Sequence, residues 1–164
     1  MKNILTILGA RPQFIKSSIL SQILNNDKNF DHRVLNTGQH YDLSMYDNIL
    51  KSLNLKKPNY NLKIKNSENF LQNCLLKIEK TVLKKFRPKI IITYGDTQST
   101  LLAGILAKKI NCKLAHIESG LRSYNFKMPE ELNRFVTDHL SNFLFTPNFK
   151  AKKILTKEGV KGKI

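Results

Sequence analysis

Short apolar runs alternate along this chain with longer segments in which apolar positions recur every three or four residues. The runs predict strands at Asn3–Leu8, Arg33–Asn36, Lys89–Thr93, Lys113–Ile117 and Phe143–Phe145. The periodic segments predict helices at Gln13–Asn25, Ser44–Leu53, Glu68–Phe86, Gln98–Lys109, Glu130–Leu140 and Lys150–Glu158. Such alternation reads as βαβ units, a doubly wound parallel sheet of Rossmann-like α/β class formed as one domain over residues 1–164. The unbroken Ile90-Ile91-Ile92 suits a strand covered on both faces. Pro12 fits a first helical turn, where its missing N–H costs nothing, and Thr97 is placed to cap the helix after it. The polar stretch 56–67, interrupted by Pro58, reads as an irregular connection. The sheet's last strand is expected to be incomplete, leaving an exposed edge.

This architecture gives certain polar residues a meaning. In a parallel sheet the carboxyl ends of the strands share one edge, and ligands bind there. Arg11, His40, Asp96 and Glu118 each follow an apolar run closely, so groups distant in sequence are expected to line one crevice.

Composition narrows the reading. A hydrophobic fraction of 41% suits a folded globule, and no stretch approaches the roughly 18 apolar residues of a membrane span. The N-terminus has no long apolar core or small-residue cleavage site, so it reads as the first strand, with a cytoplasmic setting by default. Cys74 and Cys112 are isolated and read as buried free thiols. The formal charge of +16 favours polyanions in general. Its lysines, however, are spread over nearly every helix and concentrate only between Lys150 and Lys163, without a helix-turn-helix, zinc or aromatic stacking motif. A nucleic acid is therefore a minor alternative as partner.

Four segments carry candidate chemistry. In Gly9-Ala10-Arg11-Pro12-Gln13-Phe14-Ile15-Lys16 a strand ends in glycine and turns into a helix start, where amides, Arg11 and Lys16 suit a diphosphate. It is neither a dinucleotide fingerprint nor a Walker sequence, and two surface bases near a helix start are its plain alternative. Tyr94-Gly95-Asp96-Thr97 places an acid directly after a buried strand. His116-Ile117-Glu118-Ser119-Gly120-Leu121-Arg122-Ser123 places another after the next strand. Met128-Pro129-Glu130-Glu131-Leu132-Asn133-Arg134 opens a helix with two glutamates, which dipole complementarity alone would explain, and sets Arg134 one turn beyond Glu130. Asp96, Glu118 and Glu130 together would supply a paired acid and base. Among the histidines, His32 reads as a solvated turn residue, His116 as a satisfied core imidazole, and His139 as an unsupported zinc ligand. His40, in Thr37-Gly38-Gln39-His40, is the one best placed to bind a ligand. No metal site is expected.

These segments, in this order and spacing, resemble the non-hydrolysing UDP-N-acetylglucosamine 2-epimerase family, and within it the branch acting on UDP-diacetamido-sugar uronic acids. The resemblance implies the N-terminal half of a glycosyltransferase-B-like architecture, with the active site between two Rossmann-like domains. It implies inversion at carbon 2 of a UDP-N-acetylhexosamine for surface polysaccharide precursors, by elimination and re-addition of UDP, with no redox cofactor. It assigns Asp96, Glu118 and Glu130 to the acid/base set, and Arg11, Lys16, Gln39, His40 and Arg134 to the substrate. Homodimerisation, or partnership with a separately encoded C-terminal domain, follows from the resemblance alone.

Three departures qualify it. Ser119 stands where the family usually has alanine. Tyr41-Asp42 follows His40 where allosterically regulated members carry arginine and glutamate. The family's C-terminal domain has no counterpart within these residues, so the chain reads as a truncated or split enzyme, inactive or a poor catalyst alone. A UDP-sugar transferase of the same architecture, with Asp96 or Glu118 as base toward an acceptor hydroxyl, is the enzymatic alternative.

Overall fold

Six parallel strands form one sheet in a computed structural model that describes residues 1–39, 50, 55–65 and 67–164. The elements are β1 (Lys2–Leu8), α1 (Arg11–Asn26), β2 (Phe30–Asn36), β3 (Tyr60–Asn61), α2 (Phe70–Thr81), β4 (Ile90–Tyr94), α3 (Gln98–Lys109), β5 (Lys113–Ile117), α4 (Pro129–Leu140), β6 (Phe143–Phe145) and α5 (Phe149–Lys157). The strand order is β3-β2-β1-β4-β5-β6. Chain order reverses between β1 and β4, which opens a crevice at their carboxyl ends.

Alternation along β1 explains the layering. Leu5 and Ile7 join Leu35, Ile91 and Leu114 against Phe70, Cys74 and Ile78 of α2 and Leu102, Ala103 and Leu106 of α3. Ile4 and Leu8 point the other way, with Ile92, Tyr94 and Ala115, against Phe14 and Leu24 of α1. Both faces are therefore covered, as the continuous apolar strands require. On α3, Gly104 lets α4 approach closely, since a methyl there would lie 3.2 Å from Leu140 Cδ1. Cys74 and Cys112 are free and buried in the first of these clusters, and burial pushes their thiols up to about 12 and about 11.

Several expectations shift. The connection expected to be irregular contains β3, where Tyr60 and Asn61 pair with Leu35 and Asn36, and Leu62 N–H and Ile64 N–H continue to the carbonyls of Asn36 and Thr37. The helix expected to reach Phe86 ends at Thr81, because Leu83 N–H reaches back to the Ile78 carbonyl while Val82 and Phe86 turn into the core. The expected free edge at β6 is occupied over part of its length. Lys163 pairs alongside, its N–H bonded to the Asn142 carbonyl and its carbonyl accepting from Leu144 N–H. His32 is not a solvated turn residue. It lies on β2, 9% exposed, between the Thr6 hydroxyl and the Asn25 side-chain carbonyl. Leu50 is helical and buried, while the rest of the helix expected over 44–53, and His40 with Tyr41-Asp42, lie outside the described residues.

Candidate active site

The turn after β1 is set by one side chain. Gln13 Oε1 accepts from Gly9 N–H at 2.7 Å and Ala10 N–H at 3.0 Å, while its Nε2 donates to the Tyr94 carbonyl at 2.6 Å. Gln13 thus ties the β1–α1 turn to the β4–α3 turn and occupies the amides that the glycine turn was expected to offer an anion. Gly9 has to be glycine for a different reason, since a methyl there would overlap Ser99 Oγ. Thr97 caps α3 as expected, its hydroxyl accepting from Thr100 N–H. Gln39 is buried, and its Oε1 accepts from Ser99 N–H at 3.1 Å and Ser99 Oγ–H at 2.8 Å. Its carbonyl end therefore serves the start of α3.

Beyond these turns four charged side chains meet. Asp96 follows β4, Glu118 follows β5, Arg134 comes from α4 and Lys16 from α1. Arg134 Nη2 lies 2.7 Å from Asp96 Oδ2 and 3.6 Å from Glu118 Oε1. Lys16 Nζ pairs with the other oxygen of Glu118. The result is an alternating chain, Lys16–Glu118–Arg134–Asp96, in which one guanidinium bridges two carboxylates. Arg134 is 10% exposed and Asp96 30%, so the cluster sits at the mouth of the crevice rather than in the core. Asn133, beside Arg134, donates to the Asp96 carbonyl at 2.9 Å and fixes that loop to α4.

Glu118 holds an unusual backbone. Its φ is 71°, a left-handed conformation that costs a residue with a Cβ about 1–2 kcal/mol. It persists because Glu118 N–H and Ser119 N–H both donate to the Phe145 carbonyl, at 3.0 and 3.1 Å, and Gly120 N–H donates to Asp138 Oδ2 at 3.1 Å.

A second, buried charge cluster supports the first. His116 Nδ1 lies 2.7 Å from Asp138 Oδ1 and His116 Nε2 lies 2.7 Å from the Gly95 carbonyl. The ring thus spans the distance between the Asp138 carboxyl and the Gly95 carbonyl. Asp138 Oδ2 also accepts from Arg122 Nη1 at 2.7 Å, and Arg122 reaches Glu158 with Nε and Nη2 at 2.9 and 2.6 Å. Burial works against a charged Asp138, but the hydrogen bonds and charges of His116 and Arg122 outweigh it and hold this carboxyl below its usual range. Through His116 and Asp138 the Gly95–Asp96 loop and the Glu118–Gly120 loop are fastened to each other.

Two further expected site residues make no ion pair with this cluster among the described residues. Arg11 opens α1, exposed and without an ion pair among the described residues. Glu130 is exposed in the first turn of α4, and its side chain makes no hydrogen bond or ion pair among the described residues. Its neighbour Glu131 is 2% exposed and accepts from Ser123 N–H, Ser123 Oγ–H and Tyr124 N–H at 2.8, 2.9 and 3.1 Å. Burial alone would raise the Glu131 carboxyl, yet those hydrogen bonds and the charge of Arg122 hold it lower than usual. Gln13, Asp138 and Arg122 were given no role from the sequence, and Glu131 only that of a glutamate at a helix start. Only Gln13 left a signal, standing three residues into a helix start where such a side chain can reach back.

A profile of the UDP-N-acetylglucosamine 2-epimerase family matches residues 22–164. The chain belongs to that family. It is 45% identical to a UDP-N-acetylglucosamine 2-epimerase homolog of Methanococcus maripaludis, over 96% of this chain and 44% of that protein. It is 41% identical to the UDP-2,3-diacetamido-2,3-dideoxy-D-glucuronate 2-epimerase of Pseudomonas aeruginosa, over 98% of this chain and 46% of that one. Its fold matches the Methanocaldococcus jannaschii UDP-GlcNAc 2-epimerase crystallised with UDP-GlcNAc and UDP, with a TM-score of 0.90 and 38% identity over 97% of this chain and 44% of that one. The chain thus spans somewhat under half the length of these relatives. No described helix is long and apolar enough to cross a membrane.

Proposed function

We propose that this chain forms the carboxylate wall of a UDP-sugar 2-epimerase site, inverting carbon 2 of a UDP-N-acetylhexosamine. The observation that carries the reading is the bridging of Asp96 and Glu118, from adjacent strand ends, by Arg134. Inversion requires a proton to leave carbon 2 on one face and return on the other, so two positioned acid/base groups are needed. Asp96 and Glu118 supply them, with Glu130 as the third candidate. One carboxylate takes the carbon-2 proton as the bond from carbon 1 to the UDP oxygen breaks, leaving a glycal and UDP. A proton then returns to carbon 2 from the opposite face while the UDP oxygen re-forms the bond to carbon 1. No redox step and no net water are consumed. Arg11, Lys16 and the start of α1 meet the charge gathering on the departing diphosphate. Gln39 and His40 complete the set of substrate contacts in this reading.

The relatives' further length is where this reading places the uridine-binding wall, as a continuation of the same polypeptide or as a separate one. A closed cleft matters here, because a half-open one admits water to the glycal. The buried free thiols suit a reducing, cytoplasmic setting, and a homodimer belongs to the same reading.

The test is solvent deuterium incorporation at carbon 2, followed by NMR, with this chain alone and together with a polypeptide carrying the remaining length of a relative. UDP-N-acetylglucosamine and the diacetamido uronic acid substrate named for the Pseudomonas relative are run side by side. Exchange that Asp96→Asn and Glu118→Gln each abolish supports the reading. A folded chain that binds UDP but exchanges neither sugar in either mixture overturns it.

A further inference from the structure

Without a ligand, the cations expected to hold the diphosphate are already engaged by the carboxylates expected to move protons. Lys16 is paired with Glu118, and Arg134 with both Asp96 and Glu118. Two cations and two carboxylates cancel, so the cluster presents no net charge to an approaching dianion. We infer that Lys16 exchanges partners when a diphosphate binds, leaving Glu118 for the phosphate oxygens and so releasing the carboxylate for proton transfer only in the loaded site. This rests on the reading of the site given above and adds to it a coupling between binding and chemistry.

Three features support the exchange. Lys16 is half-exposed on a four-carbon stem, 44% accessible against 23% for Glu118, so the ammonium is the partner free to swing. Glu118 is fixed by its left-handed backbone and the paired bonds to the Phe145 carbonyl, so it stays in place when the lysine leaves. Among the described residues the buried Arg134 Nε–H has no hydrogen-bond partner, so the guanidinium has donor capacity beyond its two carboxylates. Arg11, exposed and unpaired among the described residues, is the group that meets the anion first. Until Lys16 moves, Glu118 and the phosphate compete for one ammonium. Removing the competitor should therefore tighten anion binding, and only while Lys16 is present.

Calorimetric titration of inorganic pyrophosphate and of UDP into this chain at low salt measures that competition. Glu118→Gln keeps the shape and deletes the charge. It is expected to tighten pyrophosphate about fivefold, the worth of one partly exposed ion pair. In a Lys16→Met background the same change is expected to gain twofold or less, because only the longer 3.6 Å contact of Glu118 with Arg134 and its general repulsion remain to be relieved. Both positions are accessible enough for the variants to fold, and thermal melts confirm it. Equal gains in both backgrounds overturn the exchange and leave the site reading intact. So does binding of pyrophosphate by Glu118→Gln no tighter than by the unaltered chain. Failure of every variant to bind either probe overturns the site reading and the exchange together.

Discussion

Replacing His32 with glutamine isolates a single acid-sensitive contact of the fold. His32 is buried on β2, with Asn25 Oδ1 2.9 Å from Nδ1 and the Thr6 hydroxyl 2.9 Å from Nε2. A neutral ring satisfies both, donating to Asn25 and accepting from Thr6, whereas a charged ring would be desolvated. Burial, opposed only in part by the nearby carboxylate of Asp31, lowers its pKa from 6.5 to about 4. Between these values the unfolded chain binds the proton and the folded chain does not, so stability falls as pH falls through that interval. The loss is about 1.4 kcal/mol per pH unit and about 3 kcal/mol in all, complete below pH of about 4, where both states are protonated.

Urea unfolding followed by circular dichroism at pH of about 7, 5.5 and 4 measures this for the unaltered chain and for His32→Gln. Near neutrality the variant is expected to be less stable by about 1 kcal/mol, the worth of a disturbed buried hydrogen bond. Because glutamine does not titrate, that deficit should shrink on acidification and reverse by pH of about 4, a swing of about 3 kcal/mol between the two proteins. Other groups titrate in both and cancel in the difference. A gap that stays constant across the three pH values refutes the argument that His32 is buried in its neutral form.

Three further outcomes follow from named contacts. Ser119→Ala should raise stability by about 1 kcal/mol in the same unfolding assay, because the buried Ser119 hydroxyl has no hydrogen-bond partner among the described residues. Glu131→Ala should cost about 2 kcal/mol and speed hydrogen exchange at the Ser123 and Tyr124 amides. The folded-state depression of Glu131 makes its stabilisation present above the unfolded carboxyl value of about 4.3 and lost as pH falls through the lower folded one, so the variant should lack that acid-dependent loss. Asp138→Asn, which strands Arg122 and His116, should cost about 3–5 kcal/mol, read as a lower urea midpoint with an unchanged slope.

The sheet was legible because its strands are short, apolar and separated by strong helix periodicity. Lys113–Ile117 and Gln98–Lys109 fall where the pattern puts them, since burial on both faces leaves few alternatives. β3 was not legible. Its two residues pair with β2 through backbone atoms, and neither Tyr60 nor Asn61 leaves a periodic trace. His32 misled because a polar residue near a turn usually faces water, whereas here it sits between Thr6 and Asn25. The carboxylates Asp96 and Glu118 could be found because strand ends in a parallel sheet converge by topology. Glu131 and Asp138 could not, because their partners are loop amides and an arginine placed only by the folded chain.

That division has a chemical logic. A carboxylate that must trade protons has to keep counter-ions that can leave, whereas one that holds a loop must keep counter-ions that cannot. Asp138 faces His116 and Arg122, whose side chains are 0% and 1% exposed, and Glu131 is closed in by backbone amides. Glu118 faces a lysine with 44% of its side chain in water. On the proposed reading, Glu118 thus keeps a counter-ion that a diphosphate can take, while Asp138 and Glu131 keep theirs.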